Sequence, residues 1–250
     1  MTSGAATATR RNRFHPARTR GEVLALGDVP PSMSQRSPDR FEDRTDAGRR
    51  LGEALAERGV DGDLVLAVPR GGLPVGRAVA DALGLPLDVV VASKIGAPNN
   101  PELAVGAAAS DGSVWVDEET VEALGVDPAY VSREGEREAE AAREKAERYR
   151  TDGPPDVSGR TVLVVDDGAA TGSTAIAAVR LLRAQGAGRV VVALPVAPPE
   201  TVEALGRVAD EVVCLLAPRS FGAVGRFYRR FDQVSDEEAI AYLREGGSEG

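Results

Sequence analysis

Two hydrophobic spacings alternate along this chain. From Asp46, the apolar positions Ala47, Leu51, Ala54 and Leu55 share one helical face, with Thr45 or Asp46 available as cap and Gly59 placed to end the helix. An unbroken apolar run, DLVLAV, comes next, followed by the turn PRGG, the helical stretch LPVGRAVADALG and a second apolar run, LPLDVVVAS, which together make a βαβ pattern. The rhythm returns in TVLVVDD, the helix STAIAAVRLLRAQG, the strand RVVVALPVA, the short helix ETVEALGRVA and the strand DEVVCLLAP. Strands that are apolar at every position offer no face to water. The prediction is therefore an α/β fold: an open parallel sheet of roughly five strands with helices on both faces.

Between the two runs, LAVGAAASDGSVWVDEE reads as a hairpin turning at Asp111 and Gly112. The stretch AYVSREGEREAEAAREKAERYR reads as a long charged helix and mainly a solvated face. It has Glu144 and Arg148 at the stabilising i,i+4 spacing and the like-charged pair Glu136 and Glu140. TDGPPDVSG is a Pro/Gly link into the second run. Residues 1–40 carry seven arginines against Glu22, Asp28 and Asp39, without sustained periodicity, and read as a disordered basic arm preceding one domain over 41–250. The competing reading is an arm that touches nucleic acid, which the shortness of the run argues against. Met33 is an alternative start.

The charge balance limits the partners. A formal net charge of −9 disfavours a broad grip on nucleic acid but leaves small anions open wherever the local field is positive. No window reaches the roughly 18 uninterrupted apolar residues of a membrane span, and Cys214 has no second cysteine to pair with. Both points fit a cytoplasmic location. Lysine occurs only at Lys94 and Lys145, all other basic residues being arginine.

The chemistry gathers in VLVVDDGAATGST, residues 162–174, where a strand ends in two acids and a bare turn opens a helix. In open parallel sheets, ligands bind beyond the carboxyl ends of the strands. Gly168 and Gly172 permit turns that a Cβ obstructs, Ala169 and Ala170 keep side chains small, and Thr171, Ser173 and Thr174 add hydroxyls beside the unpaired first amides of the helix. Such a loop suits a phosphate, and the helix dipole favours the anion. Asp166 and Asp167 repel phosphate, so they should face hydroxyl groups or a cation. A sugar phosphate with free vicinal hydroxyls meets both demands; the plain alternative is a strand-end acid pair beside a capped helix. No Gly-Lys-Ser/Thr ends the turn and no Gly-x-Gly-x-x-Gly is present, which removes the nucleoside-triphosphate P-loop and the dinucleotide fingerprint.

This stretch resembles the signature of type I phosphoribosyltransferases, which bind phosphoribosyl pyrophosphate (PRPP). The resemblance extends to AVPRGGLPVG at 67–76, similar to the family's pyrophosphate loop, and SKIGAPNNPELAVGA at 93–107, similar to its flexible catalytic loop. Together with FEDRTDAGRRL and FGAVGRFYRRFDQVSDEEAI, it covers about residues 41–245 and is closest to a group of predicted, poorly characterised members.

The resemblance implies a small hood and a flexible hairpin loop beside the sheet, and phosphoribosyl transfer from PRPP to a nitrogenous base or similar nucleophile with release of pyrophosphate. It implies that Asp166 and Asp167 contact ribose hydroxyls and that Gly168, Ala169, Ala170, Thr171, Gly172, Ser173 and Thr174 hold the 5′-phosphate. Arg70, with the amides of Gly71 and Gly72, would meet the pyrophosphate near a non-proline cis peptide at Pro69 and Arg70, and Lys94 would close in as a further cation. Asn99, Asn100 and Glu102 would position the closed loop, where Ser93 stands in a place expected to hold arginine. Magnesium is expected to arrive bound mainly through PRPP or pyrophosphate, with no dedicated protein metal site. Homodimers are common in the family.

Phe221 or Tyr228 could stack on an acceptor ring, against the simpler reading of burial on the C-terminal helix SDEEAIAYLRE. His15 lies in the arm, leaving no histidine for the core. A non-enzymatic PRPP-binding regulator is the alternative function.

Overall fold

A computed structural model describes residues 22–25, 40–149 and 153–244. Most of the expected disordered arm, including His15 and Met33, lies outside the described residues. A six-stranded parallel sheet is formed by Glu22–Ala25 (β1), Leu64–Ala67 (β2), Leu87–Val89 (β3), Thr161–Val165 (β7), Arg189–Val196 (β8) and Glu211–Leu216 (β9), in the order β1-β9-β8-β7-β2-β3. Five of these are the expected strands. The sixth, β1, falls inside the segment read as an arm and adds a parallel edge against β9. Its four residues are too few to carry a periodic signal.

Alternation explains the unbroken apolar runs. In β7, Val162 and Val164 point to one face with Leu64, Leu66, Val190, Val192 and Val212; Leu163 and Val165 point to the other with Val65, Val191, Ala193 and Val213. The first face is covered by α5 (Ser173–Ala184) and α6 (Pro199–Gly206) through Ala178, Leu182, Val202 and Leu205. The second is covered by α1 (Arg44–Glu57) and α2 (Gly72–Leu83) through Leu51, Leu55, Val75 and Val79. Helix α1 begins earlier than a Thr45 or Asp46 cap predicts. Its cap is Asp43, whose Oδ1 accepts from the Asp46 amide at 2.9 Å, while the Asp46 carboxylate turns to Arg49 and Arg50.

A second sheet is antiparallel: Ala92–Ala97 (β4), Asn100–Ala109 (β5) and Val114–Val116 (β6). The hairpin at Asp111 and Gly112 is present, with Asp111 Oδ1 accepting from the Ser113 amide at 2.8 Å and Gly112 at φ +85°. The segment 93–107, expected as a flexible loop, is hydrogen-bonded as β4 and β5 with a register irregularity around Gly96. Helix α3 (Glu118–Leu124) leads into the long charged helix α4 (Pro128–Glu147). This helix is not solvated all round: Val131, Gly135, Ala139, Ala142 and Ala146 form a buried stripe. Its N-terminal half packs on Ile95, Val105 and Ala108, and Ala142 and Ala146 pack on Val89, Val91 and Tyr149. The last described element is α7 (Asp236–Arg244), capped reciprocally by Ser235 and Glu238.

Candidate active site

Strands β2 and β7 are neighbours, with Ala67 opposite Val165, and the chain builds outward in opposite directions from this pair. Their carboxyl ends therefore form the switch point of the sheet, where the loops after both strands meet. The loop after β2 contains a cis peptide bond between Pro69 and Arg70, as the resemblance implies. It lies directly on the acid pair. A Cβ on Gly71 would come within 2.2 Å of Asp167 Oδ2, and one on Gly72 within 2.9 Å of the Val165 carbonyl and 3.2 Å of Asp166 Oδ1. Glycine at both positions is what lets the two loops share one site.

Asp166 accepts on Oδ1 from the Asp167 amide at 2.8 Å. Burial drives its carboxyl well above the usual carboxylate range, and the neighbouring Asp167 adds to the shift. Burial also raises the pKa of Asp167, opposed by Arg44, whose Nε donates to Asp167 Oδ2 at 2.8 Å. Arg44 is fixed on two further sides, donating to the Asp232 carbonyl at 2.7 Å and lying 3.8 Å from the centroid of the Phe231 ring. Tyr228 donates its hydroxyl proton to the Asp167 carbonyl, and burial raises that phenol's pKa.

Beyond the acids, Gly168 has φ +152° and sits where a Cβ would come within 2.9 Å of the Val196 carbonyl. Gly172, at φ +73°, precedes the first turn of α5. Thr171 and Ser173 join hydroxyls at 2.7 Å; Ala170, Thr171 and Thr174 are exposed, and Ser173 is half-buried. Thr201 donates to the Ala170 carbonyl at 2.6 Å and so ties the loop to α6. Two amides expected to face an anion are already engaged: Ala169 donates to Val196 at 3.0 Å, and Gly72 donates to Val68 at 3.0 Å. Gly72 closes the turn after β2 and Ala169 ties its loop to the end of β8, which takes both out of the donor set expected to face an anion.

Arg70 is half-buried and reaches Asp236 Oδ1, at the start of α7, at 3.5 Å. Lys145 of α4 donates from Nζ to the Pro69 carbonyl at 3.3 Å. Lys94 stands on β4, opposite Ala107 in the antiparallel sheet rather than on the parallel one. Asn99 is in the turn before β5 and Asn100 opens that strand. Phe221 and Tyr228 are buried, but against Phe41, Ala47 and Val196 rather than the C-terminal helix, with Tyr228 tilted at 5.4 Å from Phe41. The aromatic-rich segment closes over the start of α1 because Phe41 pairs with Tyr228 in a parallel bridge.

Arg44, Lys145, Asp236 and Thr201 are contributors to which the sequence reading gave no role. Arg44 sits in FEDRTDAGRRL, and Lys145 is one of two lysines in the chain. A large cavity lies elsewhere: about 990 Å³ between the hairpin, α3 and α4, lined by Val114, Val116, Val121, Val126 and Val131 among others. Among the described residues no helix is long and apolar enough to cross a membrane, and no cluster of three or more His, Cys, Asp or Glu side chains could hold a metal ion.

Two loops thus meet at the switch point of the sheet, and comparison with known proteins agrees with the fold that carries them. A family profile described as "Phosphoribosyl transferase domain" matches residues 42–228. The chain belongs to that family. Two Mycobacterium tuberculosis proteins, each bearing the name "Putative phosphoribosyl transferase", are 44% identical over 205 residues, which is 81% of this chain and 46% of theirs. The chain thus spans about half the length of those relatives. The crystal structure of TT1426 from Thermus thermophilus superposes with a TM-score of 0.78 at 45% identity, covering 82% of this chain and 98% of that one. A uracil phosphoribosyltransferase from Streptomyces griseus is similar over 63 residues, at 48% identity, covering 25% of this chain and 30% of that protein.

Proposed function

We propose that the protein is a cytoplasmic enzyme that transfers the 5-phosphoribosyl group of PRPP to a nitrogenous base or similar nucleophile, releasing pyrophosphate. The observation that carries this reading is the close approach of Gly71 and Gly72 to Asp167 and Asp166, which brings both loops to one place.

The 5′-phosphate sits on the first turn of α5, against the Thr171, Ser173 and Thr174 hydroxyls and the helix's open amides. Asp166 and Asp167 accept from the ribose hydroxyls. A buried carboxylate disfavours its own ionisation, so hydroxyl donors that solvate the charged form bind with unusual advantage there. Asp167 must share its oxygens between Arg44 and the sugar.

In the transfer, the bond from the anomeric carbon to the diphosphate oxygen breaks with its electron pair going to the diphosphate, and the nucleophile's lone pair forms the new bond. Arg70 stabilises the charge that develops on the leaving group, and Lys94, carried by the β4–β5 hairpin, adds a second cation when that hairpin moves in. The two neighbouring carboxylates, Asp166 and Asp167, are hard oxygen donors of the kind that a magnesium ion brought by the substrate would meet. Magnesium bound through PRPP and pyrophosphate oxygens would supply charge neutralisation there.

The decisive assay incubates the protein with PRPP, magnesium and a panel of bases while following pyrophosphate release. Release with at least one base supports the reading. PRPP binding without release from any base favours the second reading, a PRPP-binding regulator. That second reading draws on the ion pair between Arg44 and Asp167, with which a sugar bound to Asp167 would compete.

A further inference from the structure

Lys145 belongs to a helix whose sequence reads as a solvated face, yet its ammonium is directed at the candidate site. The flanking residues Ala142 and Ala146 are buried against the Val89 and Val91 side of the core, which anchors the turn of α4 from which Lys145 projects. Nζ donates to the Pro69 carbonyl, the residue before Arg70, at 3.3 Å. That is a long, weak bond, and an ammonium has two further protons to give. Lys145 is exposed as a residue, so a ligand reaches it without any core opening.

The charged groups facing it come from four elements: Asp166 at the end of β7, Arg70 in the loop after β2, Arg148 at the end of α4, and Asp236 at the start of α7. Burial lowers the Lys145 pKa and Asp166 pushes it back up. Three cations therefore converge, and of the two carboxylates facing them the outer one, Asp236, is divided. Asp236 is 3.5 Å from Arg70 and 4.0 Å from Arg148, and it also accepts from the Tyr149 hydroxyl at 3.2 Å. None of these contacts is short. A cationic corner whose outer carboxylate is shared so widely is poised to exchange it for a ligand of higher charge with more oxygens.

We infer that Lys145 is a second fixed cation, beside Arg70, for the diphosphate end of the ligand, with the Asp236 carboxylate as its internal competitor. This rests on the phosphoribosyl reading above. It differs from the part given to Lys94, which stands on the β4–β5 hairpin: Lys145 stands on a packed helix and contributes to the site without loop closure.

The test is calorimetry on the full chain with magnesium pyrophosphate and, separately, ribose 5-phosphate, which reports the α5 half of the site alone. Lys145→Gln should weaken pyrophosphate binding about tenfold or more, the worth of a charge-assisted hydrogen bond. It should leave ribose 5-phosphate binding and the melting temperature unchanged. Lys145→Arg should restore most of the pyrophosphate affinity, and Asp236→Asn should tighten it. If Lys145→Gln binds both ligands as the wild type does, the Lys145 assignment is overturned while the phosphoribosyl reading stands. Weakening of both ligands with a lowered melting temperature marks a structural role and overturns it too. A wild-type protein that binds neither ligand overturns the phosphoribosyl reading and this inference with it.

Discussion

Arg44, at the first residue of α1, and Asp167, just beyond β7, meet at 2.8 Å although 123 positions separate them, and both side chains are nearly enclosed, at 12% and 14% exposure. The pair ties the N-terminal helix to the acid pair. The same guanidinium also holds the Asp232 carbonyl and the face of Phe231, so one side chain fastens three segments around the site.

Arg44→Met keeps the stem but leaves Asp167 ionised without its counter-charge. Breaking a largely buried ion pair from one side costs about 3 kcal/mol. The Asp167 pKa, already raised by burial, climbs further in the variant. The deficit should therefore be largest near neutral pH and shrink as pH falls through that raised value, because a protonated carboxyl needs no partner. Urea denaturation across pH checks both the size and the sign.

Asp166 gives a second pH dependence. Its folded pKa lies well above the unfolded value, so the native state binds more protons than the unfolded chain once pH exceeds about 3.9. Stability contributed by this group should fall as pH rises from there to the folded pKa, then level off. Asp166→Asn should remove that slope and be more stable than the wild type near pH 7. PRPP affinity should be lost at the same time, a trade common where a site stores unfavourable charge. Melting curves over pH, paired with PRPP calorimetry, test it; unchanged affinity counts against the site assignment.

The parallel sheet was legible because strands buried on both faces are apolar at every position, as Val162 to Val165 are, and because the helices between them show one clean stripe. The switch-point loops were legible because glycine and paired acids at a strand end are chemically unusual. Arg44 was not legible as a partner of Asp167, since an ion pair across 123 residues leaves no trace in local spacing. Lys145 was hidden by the charged residues around it on α4, whose buried stripe is built from small residues that hydrophobic periodicity underweights. The segment 93–107 was expected as a flexible loop from its resemblance, and Pro98, Asn99, Asn100 and Pro101 within it mask the pairing of its two strands.

Tyr228→Phe isolates the hydrogen bond to the Asp167 carbonyl without disturbing the rings at Phe41 and Phe231. It leaves that carbonyl without its phenol donor, which should cost about 1 kcal/mol in denaturant unfolding. Since the ring is buried under Phe41 rather than open to a ligand, KM for the acceptor should not change. A large rise in acceptor KM would instead support ring stacking on the acceptor.

Gly71→Ala tests the contact on which the functional reading rests. Gly71 has φ −59°, an ordinary helical value, so alanine carries no backbone penalty there and any effect comes from the space its methyl occupies. That methyl would meet Asp167 Oδ2 at 2.2 Å, too close to be absorbed without moving the carboxylate or the loop. The carboxylate is held by Arg44, and the following residue is held by the Gly72 amide on Val68, so the two loops should separate. Stability should drop by about 1 to 3 kcal/mol, the usual range for overpacking, while PRPP affinity falls much further because its two halves no longer share one geometry. Ribose 5-phosphate, which needs only the α5 turn and the acids, should lose less affinity than PRPP; equal losses for the two ligands would break the link between the glycine contact and a composite site.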